Sequence, residues 1–281
     1  MSTLPSRPRV MGIVNVTPDS FSDGGRWADT DHAVAHAREL LADGADLLDI
    51  GGESTRPGAI RPEVGEELDR VVPVITELAQ GGAVVSVDTM RAEVAAAALA
   101  AGAQVVNDVS GGLADPEILD VVAASTATYV AMHWRAHSTT MQAFTDYGPD
   151  GVVEGVRREL GERLEAVLAA GIEAERVLLD PGLGFAKTAA HNWQLLRGLD
   201  ALESLGQPLL VGASRKSFLG SLLAADGAPR DVGEREFAHA ALVALLASRG
   251  VECLRVHDVR ATCDALAVVE ALGGVRQGVL P

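Results

Sequence analysis

Short apolar segments alternate with longer segments of helical periodicity along almost the whole chain. The apolar segments predict strands at 10–14, 45–50, 83–87, 103–106, 127–132, 176–179, 208–212 and 252–256. The amphipathic segments predict helices at 31–42, 64–79, 91–101, 115–124, 151–170, 189–204, 234–249 and 259–272. Several of these helices are followed by a glycine, such as Gly44, Gly102, Gly171 and Gly250, which is a common helix C-terminal signal.

Strands that are separated by helical crossovers form a parallel sheet. Eight strand–helix units in 281 residues favour an α/β fold with a closed (β/α)₈ TIM barrel. An open doubly wound sheet is the alternative, but the segment after the first strand, Asn15 to Ser20, lacks the glycine-rich turn typical of dinucleotide-binding folds. We therefore predict a single barrel domain over residues 1–281, with residues 1–9 as a short N-terminal extension.

Composition and charge narrow the possible partners. The chain has 23 Lys and Arg residues against 39 Asp and Glu residues, a net charge of −16. A field of that sign repels nucleic acids and anionic membranes, so we expect neither as a partner. An anionic ligand must be bound by a local cluster of basic groups.

Cys253 and Cys263 lack metal-ligand spacing, and no secretory signal or membrane-spanning segment is present, so we expect a cytoplasmic protein.

Polar or ionisable residues follow the predicted strands in succession. In a TIM barrel the active site lies at the carboxyl ends of the strands, which we call the mouth of the barrel. Any one of these residues could simply cap a helix, but the same explanation for all eight is improbable. The residues are Asn15, Glu53 to Arg56, Asp88, Asn107, His133, Asp180, Lys216 and Arg255 with His257.

The residue types divide into two sets. Asp88, Asn107 and Asp180 can accept hydrogen bonds from the N–H edge of a guanidine-like heterocycle. Lys216, Arg255 and His257 form a basic set after strands seven and eight, the usual position of a phosphate in a TIM barrel. Asn15, which is adjacent to them around a closed barrel, offers a neutral oxygen to a Mg²⁺ ion that bridges a diphosphate.

Two loops near the mouth carry further candidates. Loop 1 (residues 15–25) and loop 2 (residues 51–58) are rich in turn-forming residues. Phe21, Pro57 and Phe185 lie among polar loop residues, where an apolar side chain more often faces a ligand than the core. Gly182 and Gly184 are better explained by a tight turn than by phosphate binding, although they also allow close backbone approach.

Several long motifs, in order and over nearly the whole chain, closely resemble those of the dihydropteroate synthases. They are Asn15 to Gly25, Gly51 to Gly58, Ser86 to Thr89, Val106 to Gly112, Leu179 to Phe185, Ser214 to Lys216 and Arg255 to Val259. The resemblance implies a TIM-barrel transferase of folate biosynthesis, usually a homodimer and the target of sulfonamides. Its reaction would join 6-hydroxymethyl-7,8-dihydropterin diphosphate to 4-aminobenzoate, releasing diphosphate and forming 7,8-dihydropteroate.

The resemblance also implies roles for individual residues. Asp88, Asn107, Asp180 and Lys216 would bind the pterin. Asn15, Arg255 and His257 would bind the diphosphate, with Asn15 as the protein ligand of Mg²⁺. The 4-aminobenzoate pocket would be formed by Phe21, Thr55, Arg56, Pro57, Phe185 and Ser217. Asp23 would close over the reacting centre and, with Lys216, Arg255 and His257, take part in catalysis of a dissociative displacement.

Trp134 and the pair Ala238-His239 depart from the family pattern, which bears on the pterin wall and on packing or the dimer face. Alternative functions remain open at this point. A pterin methyltransferase could use the same acceptors but would have little use for the basic set. A Schiff-base aldolase could use Lys216. A pterin-binding paralogue without catalytic activity is a third alternative, but Asp23, Phe21 and Arg56 would then have no function, which argues against it.

Overall fold

A computed structural model of the protein describes residues 7–17, 25–53 and 61–273, with the backbone alone for residues 25–29. Eight strands form one parallel sheet in the order β6-β5-β4-β3-β2-β1-β8-β7. Their bounds are β1 Arg9–Asn15, β2 Leu47–Gly51, β3 Val85–Asp88, β4 Val105–Asp108, β5 Thr128–Met132, β6 Val177–Asp180, β7 Leu210–Val211 and β8 Cys253–Val256. A parallel bridge between Leu179 and Leu209 connects β6 to β7. The predicted TIM-barrel fold is therefore confirmed.

Helices cover the outside of the barrel. They are α1 Gly25–Ala42, α2 Val64–Gln80, α3 Ala92–Ala100, α4 Glu117–Ala123, α5 Gly151–Ala169, α6 Ala189–Arg197, α7 Leu199–Glu203, α8 Ser217–Leu222, α9 Glu236–Ser248 and α10 Val259–Ala271. No helix in the described ranges is both long enough and apolar enough to cross a lipid bilayer.

The prediction of one continuous helix at 189–204 was wrong. The segment divides at Gly198 into α6 and α7. A side chain at this position would lie 3.0 Å from Val153 of α5, so glycine lets the chain pass close to the neighbouring helix while it turns. The short helix α8 was not predicted, because its six residues follow directly on the polar segment Ser214 to Lys216.

Apolar side chains fill the barrel below its mouth. One interior layer consists of Met11, Leu47, Val105, Val130, Leu210 and Cys253. A larger cluster packs between the strands and the surrounding helices. Because the interior is packed, as is usual for this fold, the barrel presents its polar residues to a ligand at the mouth.

The pair Ala238-His239 lies in α9. His239 is buried, and its Nδ1 lies 2.8 Å from the carboxylate of Glu236 one turn earlier. This departure from the family pattern is thus a packing feature of the helix, and it lies outside the set of polar residues at the mouth.

Candidate active site

Arg255 is at the centre of an ion-pair network that joins three strands at the mouth. Its Nε donates to Asp49 of β2 at 2.6 Å, and its Nη2 donates to Asp88 of β3 at 2.7 Å. The two carboxylates raise the pKa of Arg255, although burial opposes them. Burial raises the pKa of Asp88, while the guanidinium of Arg255 acts against that rise. The strand ends are therefore held together by charge as well as by the sheet.

Asp49 is a site residue that the sequence analysis missed. It is fully buried, and it also accepts hydrogen bonds from Ser86 Oγ at 2.6 Å and from Asn107 Nδ2 at 2.9 Å. These bonds fix the rotamer and the amide orientation of Asn107. A signal was present, because a carboxylate interrupts the apolar segment Leu47 to Ile50, and a buried charge needs partners.

Asp180 ends β6 and Lys216 follows the neighbouring strand β7, and the two side chains interact electrostatically. Asp180 Oδ1 accepts from the backbone N–H of Gly182 at 2.7 Å. Burial raises the pKa of Asp180, and Lys216 opposes that effect. Burial also lowers the pKa of Lys216 to about 8, against the attraction of Asp180. The Lys216 ammonium donates to the carbonyl of Leu183 and lies 5.2 Å from the centroid of the Phe185 ring.

The hydroxyl of Ser214 orients His257. Ser214 Oγ accepts from the backbone N–H of His257 at 3.2 Å and lies 3.0 Å from its Nδ1. When the hydroxyl donates its hydrogen to Nδ1, a neutral ring carries its own proton on Nε2. In that tautomer Nε2 is a hydrogen-bond donor, as an anion-binding residue requires.

An apolar cluster forms one wall of the mouth. Met90, Val109 and Met132 are buried together at the ends of successive strands, and Trp134 and Phe185 pack against them. Trp134, a departure from the family pattern, is therefore part of this wall, and its ring also makes an edge contact with His137 at 5.0 Å between centroids. Such a surface suits the flat face of a heterocycle.

Asn15 ends β1 and pairs with Gly51 of β2. In the part of the chain that the structure describes, no three His, Cys, Asp or Glu side chains gather as a metal site. A single amide oxygen is a weak site by itself, but it fits a Mg²⁺ ion that arrives with a diphosphate, because Mg²⁺ usually keeps waters and phosphate oxygens as its other ligands.

The remaining loop candidates, Phe21, Asp23, Thr55, Arg56 and Pro57, lie outside the described residues. The base of loop 2 is described on both sides. Glu53 accepts from Arg61 Nε at 2.9 Å, and Arg70 Nη1 donates to the carbonyl of Gly52 at 2.7 Å. These two bonds hold Gly52 and Glu53 at the start of loop 2.

His133 has different surroundings from those expected, and Gly182 and Gly184 behave as predicted. His133 follows β5, but its side chain is 1% exposed and bonds to Glu159 and Lys187 behind the mouth. Gly182 and Gly184 both have positive φ, which confirms the tight turn. A Cβ at Gly182 would lie 2.3 Å from the carbonyl oxygen of His133, so the close approach that glycine permits is to a neighbouring loop. Ser217 is exposed at the first position of α8, beside Lys216.

Comparisons with known proteins give a consistent result. The family described as pterin binding enzyme matches residues 11–257. The dihydropteroate synthase of Mycobacterium leprae is 52% identical over 264 residues, covering 94% of this chain and 93% of the relative. The structure of Xanthomonas albilineans dihydropteroate synthase with 4-aminobenzoic acid is similar with a TM-score of 0.87 and 48% identity, covering 96% and 94% of the two chains. The same enzyme in complex with 7,8-dihydropteroate gives a TM-score of 0.83 and 47% identity, covering 96% and 95%.

Proposed function

The chain belongs to the dihydropteroate synthases, a family of pterin-binding enzymes, and from this premise we propose how the residues at its barrel mouth carry out the reaction. The protein is a transferase with dihydropteroate synthase activity. It condenses 6-hydroxymethyl-7,8-dihydropterin diphosphate with 4-aminobenzoate to 7,8-dihydropteroate and diphosphate. The observation that carries the assignment of the site is the network in which Asp49 holds Asn107 and Arg255.

The acceptors of the mouth bind the pterin. Asp88, Asn107 and Asp180 accept hydrogen bonds from its amino and ring N–H groups, and Lys216 donates to its carbonyl oxygen. The proposal is supported by their burial and by the fixed orientation of Asn107, because a preorganised polar site gives up little free energy when it binds. The part of the apolar wall formed by Met90, Val109, Met132 and Trp134 lies against the ring face.

The basic residues bind the diphosphate. Arg255 offers its guanidinium edge, His257 donates from Nε2 in the tautomer whose Nδ1 accepts from Ser214, and Asn15 would supply the protein oxygen to Mg²⁺. The ion, when bound, neutralises charge that develops on the leaving diphosphate. These groups act on an anion in a chain of net charge −16, so their local concentration at the mouth is what allows binding.

The second substrate binds beside Phe185 and Ser217. Thr55, Arg56, Pro57 and Phe21 complete the 4-aminobenzoate pocket from loops 2 and 1, and sulfonamides that mimic the substrate bind there as well. The fixed base of loop 2 supports this arrangement, because it directs the loop to the same end of the barrel.

The displacement is dissociative. The bond between the pterin methylene carbon and the diphosphate oxygen breaks, and the diphosphate leaves with the electron pair. The neutral amine nitrogen of 4-aminobenzoate attacks the resulting pterin cation and then loses a proton. Asp23 and loop 1 close over the centre and exclude water, which would otherwise capture the cation.

We also propose that the protein forms a homodimer in the cytoplasm. Phe237 and Leu245 of α9 are 92% and 65% exposed, Val268 of α10 and Leu272 just after it are also exposed, and these two helices pack against each other. Exposed apolar patches of this kind mark protein–protein contacts. The two free cysteines, one buried and one half-buried, are compatible with a reducing compartment.

The test is product formation with each component omitted in turn. We expect 7,8-dihydropteroate and diphosphate only when dihydropterin diphosphate, 4-aminobenzoate and Mg²⁺ are all present. Tight pterin binding by folded protein without product would instead identify a non-catalytic paralogue. Asp180→Ala should abolish pterin binding, and wild-type affinity in that variant would refute the pterin assignment.

A further inference from the structure

Lys187 is a buried lysine behind the mouth, where burial lowers its pKa well below the usual value, and the mechanism above does not use it. It is 4% exposed and lies at the end of loop 6 (residues 181–188). Its Nζ donates to the carbonyl of Phe185 at 2.9 Å and lies 2.8 Å from His133 Nδ1. A buried lysine is costly unless its hydrogen bonds are satisfied, so its place here requires an explanation.

The contacts of Lys187 join two loops that both contribute to the apolar wall. His133 Nε2 is 3.0 Å from a carboxylate oxygen of Glu159, which also accepts from Arg135. Since Nε2 donates to that carboxylate, Nδ1 is left to accept from Lys187. His133 lies between Met132 and Trp134, while Phe185 lies in loop 6. One side chain thus connects the parts of the wall contributed by strands five and six.

The backbone next to Lys187 is held in an unfavourable conformation. Ala186 has φ of +51°, a left-handed value that a non-glycine residue adopts at a cost. Such a conformation persists only when neighbouring contacts determine it. The carbonyl of Ala186 accepts from the hydroxyl of Tyr147 at 3.1 Å, and the ring of Tyr147 lies 3.8 Å beneath the guanidinium carbon of Arg135. Lys187 and Tyr147 therefore donate hydrogen bonds to the carbonyl groups of two consecutive residues, Phe185 and Ala186.

We propose that Lys187 is a positioning residue that, together with Tyr147, holds loop 6 so that the ring of Phe185 faces the 4-aminobenzoate pocket. This inference rests on the assignment of Phe185 in the proposed function. Lys187 itself touches neither substrate, and it acts through the Phe185 carbonyl and through His133.

The test compares two substitutions at the same position. Lys187→Met keeps the length of the side chain and removes its donors, whereas Lys187→Gln keeps a donor and replaces the amine with a neutral amide. We expect Lys187→Met to raise the KM for 4-aminobenzoate about tenfold, the effect of losing a well-formed hydrogen bond. The Kd for dihydropterin diphosphate, measured by calorimetry without the second substrate, should change less than about threefold. Lys187→Gln should recover most of the loss.

Two further variants separate the possible outcomes. Phe185→Ala is the reference, and an unchanged KM for 4-aminobenzoate in that variant would contradict the proposed pocket itself. If Phe185→Ala raises the KM and Lys187→Met does not, only the role of Lys187 is refuted. If Lys187→Met and Lys187→Gln both weaken the binding of the two substrates equally, and Tm falls to the same extent, the proposal is also refuted. The variants would then act through general destabilisation. Should Lys187→Met fail to fold, Tyr147→Phe decides, because it removes one hydroxyl and should still raise the KM for 4-aminobenzoate selectively; an unchanged KM would refute the proposal.

Discussion

Replacing Asp49 with asparagine tests the central network with almost no change of volume. Asp49 Oδ2 accepts from Arg255 Nε and Asn107 Nδ2, and Oδ1 accepts from Ser86. An asparagine can place its oxygen at the Oδ2 position and donate from its nitrogen to the Ser86 hydroxyl. The number of hydrogen bonds is then preserved, but the bond to Arg255 loses its carboxylate charge. The difference between a charged and a neutral bond is about 1–2 kcal/mol.

The expected effects follow from that difference. Asp49→Asn should lower the free energy of unfolding by about 1–2 kcal/mol. Because the same carboxylate orients both Asn107 and Arg255, kcat/KM for dihydropterin diphosphate should fall about 5- to 30-fold, at about 1.4 kcal/mol for each factor of ten. The assays are urea unfolding and steady-state kinetics at saturating 4-aminobenzoate.

Asp46→Asn is the matched control. Asp46 pairs with Arg7 through two bonds of 2.9 and 3.0 Å, but it is about one third exposed, and it precedes β2 at the opposite end of the barrel. Since exposed ion pairs contribute little, it should lose less than about 1 kcal/mol and keep its kcat/KM. If Asp49→Asn remains within twofold of the wild type in kcat/KM, or if both variants lose activity equally, the role assigned to Asp49 is wrong.

Three further predictions concern pH and the turn after β6. Burial lowers the pKa of Lys216 to about 8, so kcat/KM for dihydropterin diphosphate should fall as the pH rises through that value and the ammonium loses its proton; the residual activity of Lys216→Arg should lack this fall in a pH–rate profile. Burial lowers the pKa of His133 from 6.5 to about 4, so the unfolded chain binds a proton first as the pH falls. Urea unfolding should therefore show a loss of about 3 kcal/mol between pH 6.5 and 4, and His133→Gln should reduce this loss. Gly182→Ala would bring a Cβ within 2.3 Å of a carbonyl oxygen at φ of +65°, whereas Gly206 has φ of +81° and no neighbour within 4 Å. In thermal unfolding, Gly182→Ala should lower the stability by more than about 3 kcal/mol and Gly206→Ala by only about 1 kcal/mol.

Most of the barrel could be predicted because its periodicity is local. The apolar strands and the glycines after helices are visible in short windows of sequence, and β1 and β5 differ from their predicted bounds by at most one residue at each end. The division at Gly198 could not be predicted, because its cause is the approach of Val153 from a helix that is distant in sequence.

In the site, too, some residues could be predicted from local sequence, whereas others depend on contacts between distant parts of the chain. Asp88, Asn107 and Asp180 could be identified because they end their strands, and the fold brings strand ends together. Asp49 lies two residues before the end of β2, so its position gave no such signal. The environment of Lys187 could not be predicted either, because it depends on how the chain after β5 turns the His133 side chain away from the mouth.

The long-range bonds of Arg255 have a consequence for how the chain folds. This residue contacts partners 206 and 167 positions earlier in the sequence, one on β2 and one on β3. Contacts over such separations form late, because the entropy of closing a long loop must first be overcome. Until β8 has docked against β1, Asp49 and Asp88 lack their cationic partner. We therefore expect pterin binding to appear only with the completed barrel, so that the enzyme cannot retain its substrate in a partly folded form.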